Sequence, residues 1–196
     1  MSAALEDAQD FRQALPALLG QAPAPDARLL AGWIDTPLGG MVALADDAYL
    51  HLLEFADPAR LGAGLRRAAR RARAAIGCGR TAVTDRAQAQ LSAYFLGRCA
   101  GFELPLALSG TPFQNRVWQD LQQIPAGRTI SYAELARRIG RPTAIRAVAR
   151  ANGANPFAVV IPCHRVIGSD GALTGYGGGL WRKQALIAHE STHFAA

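Results

Sequence analysis

The chain has 196 residues, room for one domain of ordinary size or two small ones with a real core. Half of the residues are apolar, which excludes a disordered chain, and no apolar run approaches 18 residues, so none reads as a membrane span or signal peptide. The net charge of +6 sits in one half: residues 1–110 carry 11 Arg against 11 Asp+Glu, and residues 111–196 carry 10 Lys+Arg against 4 Asp+Glu.

That asymmetry points to a polyanionic partner, nucleic acid before membrane. An arginine-rich coding bias (20 Arg, one Lys) is the competing account. The three cysteines, Cys78, Cys99 and Cys163, are odd in number and widely spaced, with no CxxC and no Cys/His cluster at zinc spacing. A reduced, cytoplasmic protein without structural metal is expected.

Residues 7–19 read as a helix, followed by the linker Pro23-Ala24-Pro25. Residues 29–35, 41–45 and 49–55 read as three short strands with turns at 36–40 and 46–47. Residues 58–76 read as a helix carrying Arg66, Arg67, Arg70, Arg71 and Arg73. Two accounts of that cluster stand, a stripe facing DNA and, more simply, a solvated helix face. A second amphipathic helix is expected over 85–96, stopped by Gly97.

In the second half a helix follows Thr111-Pro112, with Phe113, Val117, Leu121 and Ile124 on one stripe and Trp118 extending it. Ser131-Tyr132-Ala133-Glu134 has the capping-box pattern. Gly140-Arg141-Pro142 breaks that helix, and Thr143 is placed to cap the next, which runs to about 152. Two short helices across a glycine-containing turn make a helix-turn-helix candidate. On the second, Ile145, Val148 and Ala149 are expected inside and Ala144, Arg146, Ala147, Arg150 and Ala151 outside. Methyl groups with two arginines suit close approach to a narrow groove, one arginine entering the base stack; an alanine-rich core helix is the alternative. The whole reads as an α/β (α+β) protein: an N-terminal extension and linker over 1–28, a small three-stranded-sheet domain with helices over 29–108, and a mostly helical domain over 109–196.

Val159-Val160-Ile161-Pro162-Cys163-His164-Arg165-Val166-Ile167 sets a cysteine beside a histidine in an apolar run. The β-branched residues favour extended backbone, and Pro162 should end a strand, leaving Cys163 at a fixed break at the mouth of a sheet. The thiolate is the nucleophilic form of cysteine, and an imidazole backed by a carboxylate raises its fraction. A small buried core residue is the bland account of the same cysteine. Asn155, before Pro156, is a turn former whose amide could tie its turn to this loop. Gly168-Ser169-Asp170-Gly171 reads as a hairpin turn with Arg165 pairing to Asp170 across it. The glycines of 175–179 lack dinucleotide-loop spacing, and let backbone N–H groups approach a planar ligand with Tyr176 as a wall. Glu190, at the end of a final helix over 181–190, is a candidate partner for His164, although composition alone puts it on the surface.

Gly110-Thr111-Pro112-Phe113, Ile130-Ser131-Tyr132, Arg146-Ala147-Val148, Asn155-Pro156, Ile161-Pro162-Cys163-His164-Arg165-Val166, Gly175-Tyr176 and Ala188-His189-Glu190 follow one another in order. Together they closely resemble the O6-alkylguanine-DNA alkyltransferases. The likeness covers roughly 110–190; residues 29–105 fit the family's N-terminal domain in length and pattern. Residues 1–28 look like what precedes the alkyltransferase half of adaptive-response regulators.

The resemblance implies a single-turnover transferase without a cofactor or metal. Cys163 would take a methyl or larger alkyl group from guanine O6 in double-stranded DNA, with O4-alkylthymine a further candidate lesion. His164, held by Glu190 and reached through water, would be the base, and Asn155 belongs to the same catalytic set. Tyr132, Val166, Tyr176 and Gly177 would meet the flipped base, and the carbonyls of Cys163 and Val166 would accept from its amino group. Arg146 would fill the gap in the stack, with Thr143, Ala144, Ala147, Arg150 and Ala151 along the DNA. Gly177, where some relatives carry serine, implies a wider pocket. A monomer with no membrane partner is expected. Two other classes stay open on the residues: a non-enzymatic damage-binding or regulatory protein using the same helix-turn-helix, and a cysteine hydrolase.

Overall fold

The computed structural model describes residues 5–195 and divides them into two units: residues up to Leu96 with Phe102–Ala107, and Gly97–Gly101 with the residues from Leu108 onward.

The first unit starts with α1 (Ala8–Leu19), whose first turn is capped by the Asp7 carboxylate accepting from the N–H groups of Gln9 and Asp10. Phe11, Leu15, Leu18 and Leu19 on its inner stripe are buried in one cluster with Trp33, Leu44, Leu61 and Leu65. The segment expected as an extension therefore supplies core to this unit. The three expected strands are present as β1 (Leu29–Ile34), β2 (Met41–Ala45) and β3 (Leu50–Phe55), and neighbours in the chain pair antiparallel. Helix α2 (Pro58–Ala72) follows β3.

The sheet has a fourth strand that the expectation lacked. β4 (Ile76–Cys78) lies parallel to β1, Leu30 opposite Gly77, giving the order β3-β2-β1-β4. This also corrects the helix expected over 58–76: α2 stops at Ala72, and Arg73 turns the chain at φ 51°. The alanines of 72–75 favour helix, but the open edge of β1 offers backbone partners that a longer helix would leave unpaired. Helix α3 (Ala82–Phe95) begins three residues before the expected 85, because Thr81 and Thr84 cap one another reciprocally.

In the second unit α4 (Pro112–Leu121) is capped by a Thr111–Gln114 box. Strand β5 (Ile130–Ser131) runs into α5 (Tyr132–Arg138), where Ser131 Oγ accepts from the Glu134 N–H at 3.1 Å. The Glu134 carboxylate turns to Arg137 at 2.8 Å. Helix α5 ends at Gly140 (φ 70°), with Arg141 N–H donating to Ala136 O and Gly140 N–H to Arg137 O, a Schellman closure. Helix α6 (Ile145–Gly153) has Ala144 at its N-cap and no side-chain cap. Thr143 therefore does not cap it; the turn closed by Ala144 N–H on Arg141 O holds Thr143 outside.

Val117, Trp118, Leu121, Leu135, Ala136, Ile139 and Val148 form the buried seam of α4, α5 and α6. Each large apolar side chain there contributes roughly 1.5–3 kcal/mol. Trp118 Nε1 donates to Ala151 O at 2.9 Å and pins α6 to α4. Strand β6 (Val166–Ile167) pairs parallel with β5, Ile130 opposite Val166, so the start of α5 lies beside the chain that leaves Cys163. Helix α7 (Leu180–His193) closes the unit.

Candidate active site

The approach to Cys163 is not a strand. Ile161 N–H bonds to Phe157 O, Val160 N–H to Ala158 O and Cys163 N–H to Ile161 O at 2.7–2.9 Å, so the chain winds through consecutive tight turns. Pro162, at φ −81° and ψ 61°, makes an inverse γ-turn. Val159 sits at φ 70°, where a β-branched residue costs on the order of 1–3 kcal/mol. Burial of Phe157, Val159 and Ile161 overrides the extended preference read from the sequence. Cys163–Arg165 form a single 3-10 turn, which replaces the expected break at a sheet mouth.

Asn155 holds this winding together. Its Oδ1 accepts from Phe157 N–H at 2.9 Å, and its Nδ2 donates to Ile161 O at 2.8 Å and to Cys163 Sγ at 3.2 Å. The amide thus fixes the turn as expected and also touches the sulfur. A second asparagine, Asn152 on α6, donates to Cys163 O at 3.2 Å. Cys163 is buried, whereas the other free cysteines, Cys78 and Cys99, are exposed.

His164 follows the sulfur into full burial, with Nε2 2.8 Å from Glu190 Oε1. Arg165 grips the same carboxylate with two N–H groups, Nε to Oε2 at 2.9 Å and Nη2 to Oε1 at 2.8 Å. Its Nη1 bonds to Ile124 O, and Gly127 N–H reaches Glu190 Oε2 at 3.2 Å. The pairing of Arg165 with Asp170 is therefore corrected: Asp170 accepts from Ala172 N–H at 3.0 Å and closes its own turn. Glu190 is a buried residue, contrary to its composition-based placement.

Burial alone would raise the Glu190 carboxyl, but hydrogen bonds from His164 and Arg165 and their charges pull it well below the usual range. An anionic carboxylate only accepts, so His164 Nε2 carries the proton and Nδ1 keeps its lone pair. Nδ1 has no hydrogen-bond partner among the described residues. Burial lowers the His164 pKa despite the pull of Glu190, with Arg165 and Lys183 adding to the effect. The ring is a neutral base at physiological pH.

Lys183 was not anticipated. Its side chain is fully buried, and Nζ donates to Val166 O and to Thr174 O, each at 2.6 Å. Tyr132 OH donates to the same Thr174 O at 3.2 Å, and Nζ lies 5.8 Å from the Tyr132 ring centre. Burial lowers the Lys183 pKa, and the nearby Cys163 opposes that shift. Burial likewise raises the Tyr132 hydroxyl. The signals were in the sequence: Lys183 is the single lysine beside 20 arginines, and it stands with Leu186 and Glu190 on one face of a helix.

Tyr176 lies edge-on to His164, ring centres 6.5 Å apart at 89°. Gly177 follows it, half-buried, and Val166 is buried beside the loop. On α6 and the turn before it Thr143, Arg146, Ala147 and Arg150 are exposed and Ala144 is half-buried. Ala151 is buried at the base of that face, in one recess with Ala147 and Arg150, and its carbonyl accepts from Trp118 Nε1. Ile145, expected inside, is exposed instead. Ala147 and Arg150 border a shallow recess of about 380 Å³ with Thr111, Phe113 and Gln114. Among the described residues no cluster of His, Cys, Asp and Glu could hold a metal ion, and no helix is long and apolar enough to cross a membrane.

The family model described as 6-O-methylguanine DNA methyltransferase, DNA binding domain, matches residues 112–192. A methylated-DNA–protein-cysteine methyltransferase of Mycolicibacterium paratuberculosis is 59% identical over 107 residues, which are 55% of this chain and 65% of that relative. One of Salmonella typhimurium is 54% identical over 102 residues, 52% of this chain and 60% of the relative. These alignments thus span a little under two thirds of the curated relatives' length. The crystal structure of Mycobacterium tuberculosis O6-methylguanine methyltransferase superposes with a TM-score of 0.71 at 40% identity, covering 86% of this chain and 96% of that one. The structure of the M. tuberculosis OGT in complex with DNA gives 0.70 at 40% identity, covering 84% and 94%. With that sequence identity sustained over nearly the whole length of a solved relative, the chain belongs to the O6-methylguanine-DNA methyltransferase family.

Proposed function

We propose that this chain repairs DNA by direct reversal of damage, moving a methyl or larger alkyl group from O6-alkylguanine in duplex DNA onto Cys163. The observation that carries the reading is a buried sulfur that accepts from Asn155, followed directly in the chain by a neutral imidazole held in the His164–Glu190–Arg165 network. The His164 Nδ1 lone pair takes the thiol proton, through water where the ring does not reach. The thiolate sulfur attacks the alkyl carbon in line, a carbon–sulfur bond forms, and the carbon–O6 bond breaks with its electron pair going to guanine. His164 returns the proton to the leaving base. The thioether is stable, so each chain acts once and no cofactor is consumed.

The flipped base would lie between Tyr132, Val166, Tyr176 and Gly177. Cys163 O already accepts from Asn152 Nδ2 and Val166 N–H, which fills both of its lone pairs. Val166 O, held by Lys183 Nζ, is the acceptor this reading gives to the guanine amino group. Arg146, exposed at the start of α6, would enter the stack in place of the extruded nucleotide, which offsets part of the few kcal/mol that flipping costs. Thr143, Ala144, Ala147 and Arg150 would follow the strand. In this reading the residues from 109 on carry both DNA binding and transfer, and the protein works in the cytoplasm as a monomer.

The test is stoichiometry. Duplex DNA bearing labelled O6-methylguanine should place at most one label per chain, on Cys163, and Cys163→Ala should bind DNA without taking label. Multiple turnover, or label on the exposed Cys78 or Cys99, overturns the reading. The same assay with O4-methylthymine decides whether that lesion is also a substrate.

A further inference from the structure

The outer face of α2 is not used by any of this chemistry. Residues 58–73 hold six arginines and no acidic residue, whereas the rest of residues 1–110 carries 5 Arg against 11 Asp+Glu. The carboxylates nearest in sequence are committed elsewhere: Asp57 caps α2 on Ala59 N–H at 3.0 Å, and Glu54 holds Arg60 at 2.8 Å. Arg70, Arg71 and Arg73 are exposed and have no carboxylate ion pair among the described residues, whereas Arg67 is half-buried and its charge also acts on Glu54. The i, i+4 pairs Arg66/Arg70 and Arg67/Arg71 repel, each costing a few tenths of a kcal/mol. The helix dipole favours the arginines of the last turn but gives no reason for those in mid-helix. Arg66 and Arg70 line a recess of about 220 Å³ together with Leu19, Ala69, Ala74 and Ile76. With no aromatic anchor among these arginines, the face suits a phosphate backbone rather than a lipid surface.

We propose that this arginine face of α2 is a second phosphate-binding surface for duplex DNA, separate from the helix-turn-helix. The proposal rests on the reading of DNA as the substrate. Guanidinium groups take phosphate oxygens in pairs, and bonds of this kind hold the duplex without reading its sequence.

The experiment is the salt dependence of binding of the full chain to an unmodified long duplex. The variant Arg67→Gln/Arg70→Gln/Arg71→Gln/Arg73→Gln should bind with a log–log salt slope shallower by about 0.9 for each phosphate no longer neutralised, a total change of roughly 2–3.5. The corresponding set of lysine substitutions should keep the wild-type slope, and both sets should react with free O6-benzylguanine base at the wild-type rate. If the glutamine set fails to fold by circular dichroism, Arg70→Gln/Arg71→Gln should still remove roughly 1–2 from the slope. An unchanged slope overturns the proposal, as does binding to anionic vesicles that these substitutions abolish while the DNA slope stays the same. If the wild-type chain takes no label from alkylated guanine yet the slope falls as stated, the repair reading fails and the surface stands.

Discussion

Lys183 Nζ donates to Val166 O at 2.6 Å, and through its second bond, to Thr174 O, it ties the chain leaving the cysteine turn to the glycine-containing segment ahead of α7. The same carbonyl of Val166 is the proposed acceptor for the guanine amino group. One buried ammonium therefore sets both walls of the proposed base site.

Replacing Lys183 by methionine keeps the volume but removes the ammonium from the buried Val166 carbonyl, at about 1–3 kcal/mol, and leaves Thr174 O to Tyr132 OH. The expected result is a lower urea midpoint and at least tenfold slower transfer to Cys163. Lys183→Arg should not rescue the rate, because a planar fork does not reproduce an ammonium aimed at two converging carbonyls. A variant with wild-type rate and reduced stability would make Lys183 a structural residue only.

Glu190 accepts from His164, from Arg165 twice and from Gly127 N–H, so Glu190→Gln removes the charge that compensates a buried guanidinium. A buried pair broken in this way costs about 3–5 kcal/mol. The glutamine amide can also donate to His164 Nε2, which moves the ring proton to Nδ1 and removes the base. Denaturation should show the stability loss. Transfer, measured at a temperature where the variant is folded, should fall by more than the folded fraction explains.

Much of this was legible in the residues, and the failures share a cause. Turn residues, the Ser131 capping box and apolar periodicity located α4, α5 and α6, because Ser131 and Gly140 act through local backbone groups, although Thr143 does not cap α6. Asn155 and Glu190 were placed with His164 by motif. What escaped was decided by tertiary partners. Valines around 159–160 promise a strand, yet burial holds Val159 in a left-handed turn. The alanines of 72–75 promise helix, yet the edge of β1 takes Ile76–Cys78 as a strand. Arg165 had a carboxylate five residues away in Asp170 and chose one 25 residues away that was already buried.

Stability should depend on pH through two groups whose folded pKa values are depressed. For His164, ordinary value 6.5, the unfolded chain binds a proton that the folded ring refuses, so its contribution is present above about 6.5 and lost as pH falls. For Glu190, ordinary value 4.5, the contribution is likewise present above that value and lost on further acidification. Urea midpoints should therefore decline in two stages, the first below about pH 6.5 and the second beginning near pH 4.5 and continuing on further acidification. His164→Gln should flatten the upper stage and retain a lower one, which Arg165 still supports through its bonds to Glu190. A midpoint that rises on acidification through 6.5 would contradict the assigned neutral ring.

Arg146 tests the division of labour on α6. It is exposed, and it makes none of the side-chain bonds described in the cysteine turn. Arg146→Ala should slow repair of duplex DNA by tenfold or more while leaving reaction with free alkylated guanine base within about twofold, since only the duplex needs its gap filled. Equal losses on the two substrates would remove Arg146 from the stack.

Asn155→Asp is the sharpest probe of the sulfur. The side chains are nearly isosteric, and the aspartate can still accept from Phe157 N–H, so that half of the turn survives. What disappears is the N–H donated to Cys163 Sγ at 3.2 Å and to Ile161 O at 2.8 Å. In their place an anionic oxygen would face both a carbonyl and the thiolate. Like charge beside a thiol disfavours its ionised form, and two acceptors facing one another separate. The variant should alkylate at least a hundredfold more slowly with both duplex and free base, in contrast to Arg146→Ala, and its rate should recover as pH rises. Asn155→Ser, which restores a donor without the charge, should recover part of the loss at neutral pH. A rate for Asn155→Asp within a few fold of wild type would show that the Asn155–Cys163 hydrogen bond does not support the thiolate.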